Sequence, residues 1–161
     1  MKRGVIPARA DLEWHAKVIP EIKPSSVIAM LEILQAAAEI QRAVFDVLEK
    51  EHQLSEGKLH VMILLHQKEA GVAPSELAEQ AGVTRATISV MLRRMTRDGL
   101  VRAFSNAEDA RAKRICLTPK GRAFMNEVLP GHYLRITKLM GKLSEEEQED
   151  LIALLRKIAD T

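Results

Sequence analysis

Arg85, Ser89, Arg93 and Arg97 recur at four-residue intervals along one short segment, with Ala86 and Val90 beside them. The chemistry available to such a set is base-edge recognition. A guanidinium can pair with guanine, a hydroxyl can bond a base edge, and an Ala or Val methyl can pack on a thymine methyl. The spacing matters because a helix turns about 100° per residue. With Arg85 at 0°, Ile88, Met91, Leu92 and Met95 fall between about 240° and 340° and form an apolar face. Ala86, Ser89, Val90, Arg93 and Arg97 gather near the opposite direction, about 110°, with Arg85 and Arg94 on the flanks. A solvated face normally carries long charged residues throughout. This one carries small residues in its first turns and arginines after them, as a helix entering the major groove of duplex DNA requires. On this helix alone, an ordinary surface face stays open as the alternative.

The neighbouring elements decide how such a face would be held. Pro74 to Ala81 reads as a short helix with Pro at its first position and Glu76 at its third. Gly82 is a turn, Thr84 can cap the next helix, and that helix stops at Gly99. Residues 74–98 are therefore a helix-turn-helix candidate. Leu100–Phe104 and Lys113–Thr118 are β-prone runs around a polar stretch, and read as a hairpin with a charged tip, Glu108-Asp109-Ala110-Arg111. An arginine at such a tip suits the negative potential of a narrow minor groove.

The remaining segments read as helices. Pro24-Ser25-Ser26 opens one whose apolar stripe (Met30, Leu31, Leu34, Ala37, Ile40, Val44, Val47, Leu48) ends near Glu51. Ser55 suits the N-cap of the next, with Leu54 and Leu59 spaced as a hydrophobic staple and Gly71 closing it. A long helix is expected over roughly Arg122–Lys142, bent at Pro130-Gly131. Ser144 and Glu147 form a capping box before a last helix whose inner face is Leu151, Leu154, Leu155 and Ile158. Residues 1–26, interrupted by Pro7, Pro20 and Pro24 and holding the only tryptophan, Trp14, read as an N-terminal extension with a short helix from Asp11 to Val18.

Composition bounds the rest. The 161 residues suit one domain, with 47% hydrophobic residues for a core and only 3% aromatics, too few for stacked platforms that bind single strands. The longest apolar run, Val61–Leu65, is far shorter than a membrane span, and no signal-peptide pattern opens the chain, so a cytoplasmic protein with no membrane partner is expected. The single Cys116 excludes an intrachain disulfide. Net charge is +2, but residues 84–114 hold eight Lys/Arg against three Asp/Glu. Concentrated positive charge is a nucleic-acid footprint or a solvated face.

The run Pro74-Ser75-Glu76-Leu77-Ala78-Glu79, then Gly82-Val83-Thr84, Gly99-Leu100-Val101, Asp109-x-Arg111 and Leu117-Thr118-Pro119-x-Gly121 resembles the MarR family of transcriptional regulators. The D-x-R and LT-x-x-G parts are the specific ones. The resemblance implies a mainly α fold with a small β-hairpin: a winged helix-turn-helix over about 54–120 and a dimerisation lobe from helices at about 27–51 and 122–160, one domain over 27–161. It implies a homodimer on a pseudo-palindromic duplex operator, usually as a repressor, with a small-molecule effector. Carried onto this chain, the DNA-contacting set is Ser75, Thr84, Arg85, Ala86, Thr87, Ser89, Val90, Arg93, Arg94, Asp109, Arg111 and Lys113. Asp109 would orient the wing and Arg111 would enter the minor groove. Phe45, His60, Met62 and His66 lie on helices that would line an effector pocket. Two departures stand out. Ala73 replaces the Ser or Thr that commonly caps the short helix, a loss of roughly 1 kcal/mol, and Val90 occupies a position that is often polar.

Extra apolar residues on the 27–51 helix (Val27, Ile33, Ala36, Ala43, Phe45) and the wide apolar face of the last helix argue for a partner chain independently. Two copies about a two-fold axis would set their reading helices about 34 Å apart, one turn of B-DNA. No metal or cofactor is expected. His60 and His66 are six residues apart, about 240° around a helix, and cannot chelate one ion alone. Glu145-Glu146-Glu147 is explained by the helix dipole, and no nucleophile has an evident base, so an enzyme is not expected. The alternatives from other classes are a winged-helix module that docks an acidic protein and a metal-responsive regulator.

Overall fold

The computed structural model describes residues 6–105 and 113–159. Seven helices and one hairpin run in the order α1 (Arg9–Val18), α2 (Pro24–His52), α3 (Glu56–Gln67), α4 (Pro74–Gln80), α5 (Arg85–Arg97), β1 (Val101–Ser105), β2 (Lys113–Leu117), α6 (Pro119–Met140) and α7 (Glu145–Ala159) among these residues. The chain divides after Lys50 into two compact units. In the first, α1 buries Leu12, while Trp14 meets His15 edge-on and stays largely exposed. Along α2, Val44 and Leu48 are buried, but Met30, Ile33, Leu34 and Ile40 are exposed.

The second unit contains a winged helix-turn-helix. Its core joins Leu54, Leu59, Met62 and Leu65 to Leu77, Ile88, Met95 and Met125, all essentially without exposure. The helix ends that frame α4 and α5 are closed as the glycines foretell. Val83 N–H bonds Ala78 O and Gly82 N–H bonds Glu79 O after α4; Leu100 N–H bonds Met95 O and Gly99 N–H bonds Thr96 O after α5. Both are Schellman closures, with Gly82 at φ 64° and Gly99 at φ 73°. The strands pair antiparallel from Val101↔Leu117 to Ser105↔Lys113.

Several expectations are corrected. Helix α3 does not run to Gly71 but ends at Gln67, where Lys68 N–H bonds Leu64 O; Gly71 instead turns the chain into a bridge between Val72 and Ile115. It buries Leu59, Val61, Met62 and Leu65, and it packs against both β2 and α6. Ser55 stands at the N-cap of α3, yet its side chain makes no capping bond. Met91 is half-buried rather than part of the core, its methyl placed over Gly57 of α3. In β2, Ile115, Cys116 and Leu117 are all buried instead of alternating, since α3, α4 and α6 cover the strand. Helix α6 starts earlier than expected, at Pro119, and continues as one helix through Pro130. Helix α7 has its capping box, Ser144 N–H to Glu147 Oε2 at 2.8 Å and Glu147 N–H to Ser144 Oγ at 3.2 Å, but it buries none of its residues.

Candidate nucleic-acid interface

Helix α5 is built from its first residue. Thr84 has extended backbone, and its Oγ1 accepts from Thr87 N–H at 3.1 Å and lies 2.9 Å from Thr87 Oγ1. That cap fixes where α5 begins and how it is phased. Ile88, Leu92 and Met95 then anchor the inner face. The outer face is open: Arg85, Ala86, Thr87, Ser89, Val90, Arg93, Arg94 and Arg97 are all exposed. Val90 keeps 44% of its surface, high for a branched apolar side chain. The hydroxyl of Ser89 donates to Arg85 O at 2.8 Å, so what it turns outward is an oxygen that accepts. Arg97 Nε lies 3.5 Å from Asp98 Oδ1.

Other members of the expected set are placed around this face. Ser75 is exposed in the first turn of α4, behind Ala73, which supplies no side-chain cap. Lys113 is exposed at the outer end of β2, opposite Ser105 in register. Asp109 and Arg111 lie outside the described residues. Sequence reasoning missed Lys58. This lysine, with Ser55 at the N-cap of α3, joins Ala86, Thr87, Val90, Met91 and Arg94 around a cleft of about 440 Å³ beside α5. Its Nζ is 3.8 Å from Asp98 Oδ2. The signal was three residues away, in the first turn that Ser55 opens, but nothing in sequence puts that turn next to α5. A second hollow of about 350 Å³ is lined by Val90, Arg93, Arg94 and Arg97. The face thus combines an apolar contact, hydroxyl groups and guanidinium groups along concave surfaces of one sign of charge, which suits a polyanion with readable base edges.

The four effector-pocket candidates sit at different depths. On α3, Met62 is fully buried, His60 is exposed, and His66 is half-buried with Nε2 2.9 Å from Asn126 Oδ1. Phe45 is half-buried on α2, in the first unit. The buried histidine is one the sequence did not single out, His132 of α6. Burial, then the charges of Arg135 and His60, hold its imidazole below the ordinary value. Among the described residues no three His, Cys, Asp or Glu side chains come together to hold a metal ion, and no helix is long and apolar enough to cross a membrane.

Residues 54–113, from the residue before the cap of α3 to the first residue of β2, match the model of the MarR family. Over 154 residues the chain is 32% identical to the HTH-type transcriptional repressor YetL of Bacillus subtilis (strain 168), covering 93% of this chain and 90% of that protein. The chain belongs to the MarR family. Solved structures agree with the winged-helix fold of that family. The S. aureus MepR–DNA complex matches with a TM-score of 0.69 at 25% identity, over 87% of this chain and 98% of that one. Sco3205 of Streptomyces coelicolor, a MarR family regulator solved in complex with DNA, matches with a TM-score of 0.78 at 20% identity, over 86% of this chain and 88% of that one. The similarity to YetL extends beyond the 54–113 segment, through nearly the whole chain.

Proposed function

We propose that this MarR-family transcriptional regulator is a homodimeric repressor that binds a pseudo-palindromic duplex operator and is released from it by a small-molecule effector. The observation that carries the reading is the outer face of α5: Ala86, Ser89 and Val90 over its first two turns, set between Arg85 and the later Arg93, Arg94 and Arg97, all exposed and phased by the Thr84 cap. Arg85 and Arg93 reach guanine, Val90 packs on a thymine methyl, and Ser75, Thr84, Thr87, Arg94 and Lys113 hold phosphates. Arg111, with Asp109 orienting the wing, enters the minor groove. The MepR–DNA complex and the repressor YetL support DNA binding and repression respectively. The winged helix takes residues of about 54–120; the exposed apolar faces of α2 and α7 support a dimerisation lobe from the helices at 27–51 and 122–160. His60, Met62, His66 and Phe45 are the candidates for effector contact.

The test is fluorescence anisotropy of the full chain against the duplex it enriches from a random 30-base-pair library and against a scrambled duplex, across a salt series. The enriched duplex should bind tighter by at least about 1,000-fold and lose affinity steeply as salt rises. Equal, weak binding to both duplexes would overturn the sequence-specific reading. Ser89 adds a finer expectation. With its proton on Arg85 O, its oxygen accepts from the amino group of adenine N6 or cytosine N4. Ser89→Ala should cost about five-fold at such a base pair and leave the others unchanged. A uniform loss across all positions, seen by selecting against the variant, would assign Ser89 to the phosphates instead.

A further inference from the structure

Arg114 was counted with the basic block, but its guanidinium turns inward. Its Nε lies 3.2 Å from both Ala70 O and Gly71 O, and Nη2 donates to Gly71 O at 2.7 Å. The acceptors belong to the segment that joins α3 to α4. That segment also pairs with β2: Val72 N–H bonds Ile115 O and Ile115 N–H bonds Val72 O, both at 2.9 Å. So β2 has β1 on one edge and Val72 on the other. Gly71 is wedged at this junction. A Cβ there would fall 2.8 Å from Phe104 Cε1 and 2.9 Å from Ile115 O. Phe104 is the register partner of Arg114, and Arg102 stands over its ring at 5.8 Å. Arg114 also adds to the field that, after the hydrogen bond from Lys68, keeps the Glu76 carboxyl of α4 below its ordinary range.

We propose that Arg114 is the positioning residue of the wing, fixing the direction in which the hairpin leaves the helix-turn-helix. The inference rests on the DNA-binding reading above. Its argument is mechanical. The inner rungs of the hairpin, Val101 with Leu117, are buried in the body. The described ladder ends at Ser105↔Lys113, one rung beyond Arg114. A two-stranded ribbon alone is marginal in water and holds no fixed direction. The fork of Arg114 ties the outer rungs to the loop that opens α4, and therefore to the unit that carries α5. A planar guanidinium can serve both carbonyls at once; an ammonium is a point donor and cannot hold the same angle. Arg114 thus acts on DNA through the wing, not by touching it.

Arg114→Lys and Arg114→Met in the full chain test this, with the duplex that the wild type enriches from a random library. Hydroxyl-radical cleavage reports the minor groove, and dimethyl sulfate reports guanine N7 in the major groove. In both variants the flanking minor-groove protection should disappear and affinity should fall about tenfold, the scale of one charge-assisted contact, while N7 protection at saturation persists. Arg114→Lys keeps the charge and most of the bulk, so it separates geometry from simple attraction and serves if the methionine variant melts early. Near wild-type binding by Arg114→Lys would overturn the proposal, because a phosphate contact needs only the charge. Loss of both protections together would also overturn it, since general destabilisation spares neither groove. Failure of the wild type to enrich any duplex would instead remove the DNA-binding reading itself, and the proposal with it.

Discussion

Gly121→Ala is expected to destabilise the fold by about 3 kcal/mol and lower Tm by about 10 °C, at the severe end of overpacking substitutions. A Cβ at Gly121 would stand 2.0 Å from Leu100 O and 3.0 Å from Leu100 C, and both are backbone atoms. No rotamer change relieves that overlap, so the start of α6 must move away from the end of α5. That junction is locked on several sides. Thr118 N–H bonds Leu100 O at 3.0 Å, Thr118 Oγ1 donates to Gly99 O at 2.6 Å and accepts from Gly121 N–H at 3.0 Å, and Lys120 Nζ donates to Asp98 O at 2.9 Å. Gly131→Ala is the matched control in the same helix. Its nearest neighbour would be Arg135 Nη1 at an ordinary 3.7 Å. The alanine there should raise stability by about 0.5–1 kcal/mol through helix propensity. Thermal melts of the two variants decide the matter: equal and small changes would mean that α6 does not sit so close to Leu100.

This junction also shows how far a motif can be read without coordinates. The run Leu117-Thr118-Pro119-x-Gly121 marks the end of the wing by resemblance, but its physics is that of a helix start. Thr118 caps α6, Pro119 fills a first position that needs no N–H, and Gly121 admits a backbone carbonyl. From sequence this helix is nevertheless expected only from Arg122, because the close approach of Gly121 to Leu100 is a long-range contact. Thr84 capping Thr87 and the reciprocal Ser144–Glu147 pair were legible because each involves atoms only three residues apart. Ser55 shows the limit: the right residue at the right position, with the cap bond left unmade.

What the sequence withheld is long-range. Arg114 reads as one more positive charge, and its partners are backbone carbonyls more than forty residues earlier, which carry no residue-type signal. Lys58 meets α5 only because α3 and α5 come together in the fold, so its place on the cleft with Arg94 could not be counted from spacing. The even burial of Ile115, Cys116 and Leu117 has the same origin, since period-two alternation assumes one open face and this inner part of β2 has none. The charge block therefore counts an arginine that turns inward, and it stops short of a lysine that lies beside α5.

Leu154→Glu combined with Leu155→Glu is expected to give a monomer with the winged helix intact and operator affinity lowered about 100-fold or more. In the single chain Leu154 keeps 58% of its surface and Leu155 42%, with Ile152 and Ile158 exposed beside them. A helix of fifteen residues that buries none of them contributes little to the stability of its own chain, so charges there cost the monomer little. The same charges at a two-fold interface would be desolvated twice, once from each copy. Their effect on DNA follows from valency. Two reading helices joined in one particle bind two half-sites at a high effective concentration, and separating them forfeits a factor of roughly 10²–10⁴. Sedimentation equilibrium with anisotropy on the enriched duplex reads both consequences. A variant that stays dimeric would move the interface to the exposed apolar face of α2, where Met30 and Leu34 keep 63% and 58% of their surface. A variant that becomes monomeric yet binds as tightly as the wild type would mean that one winged helix suffices, and that the pseudo-palindromic operator is not the target.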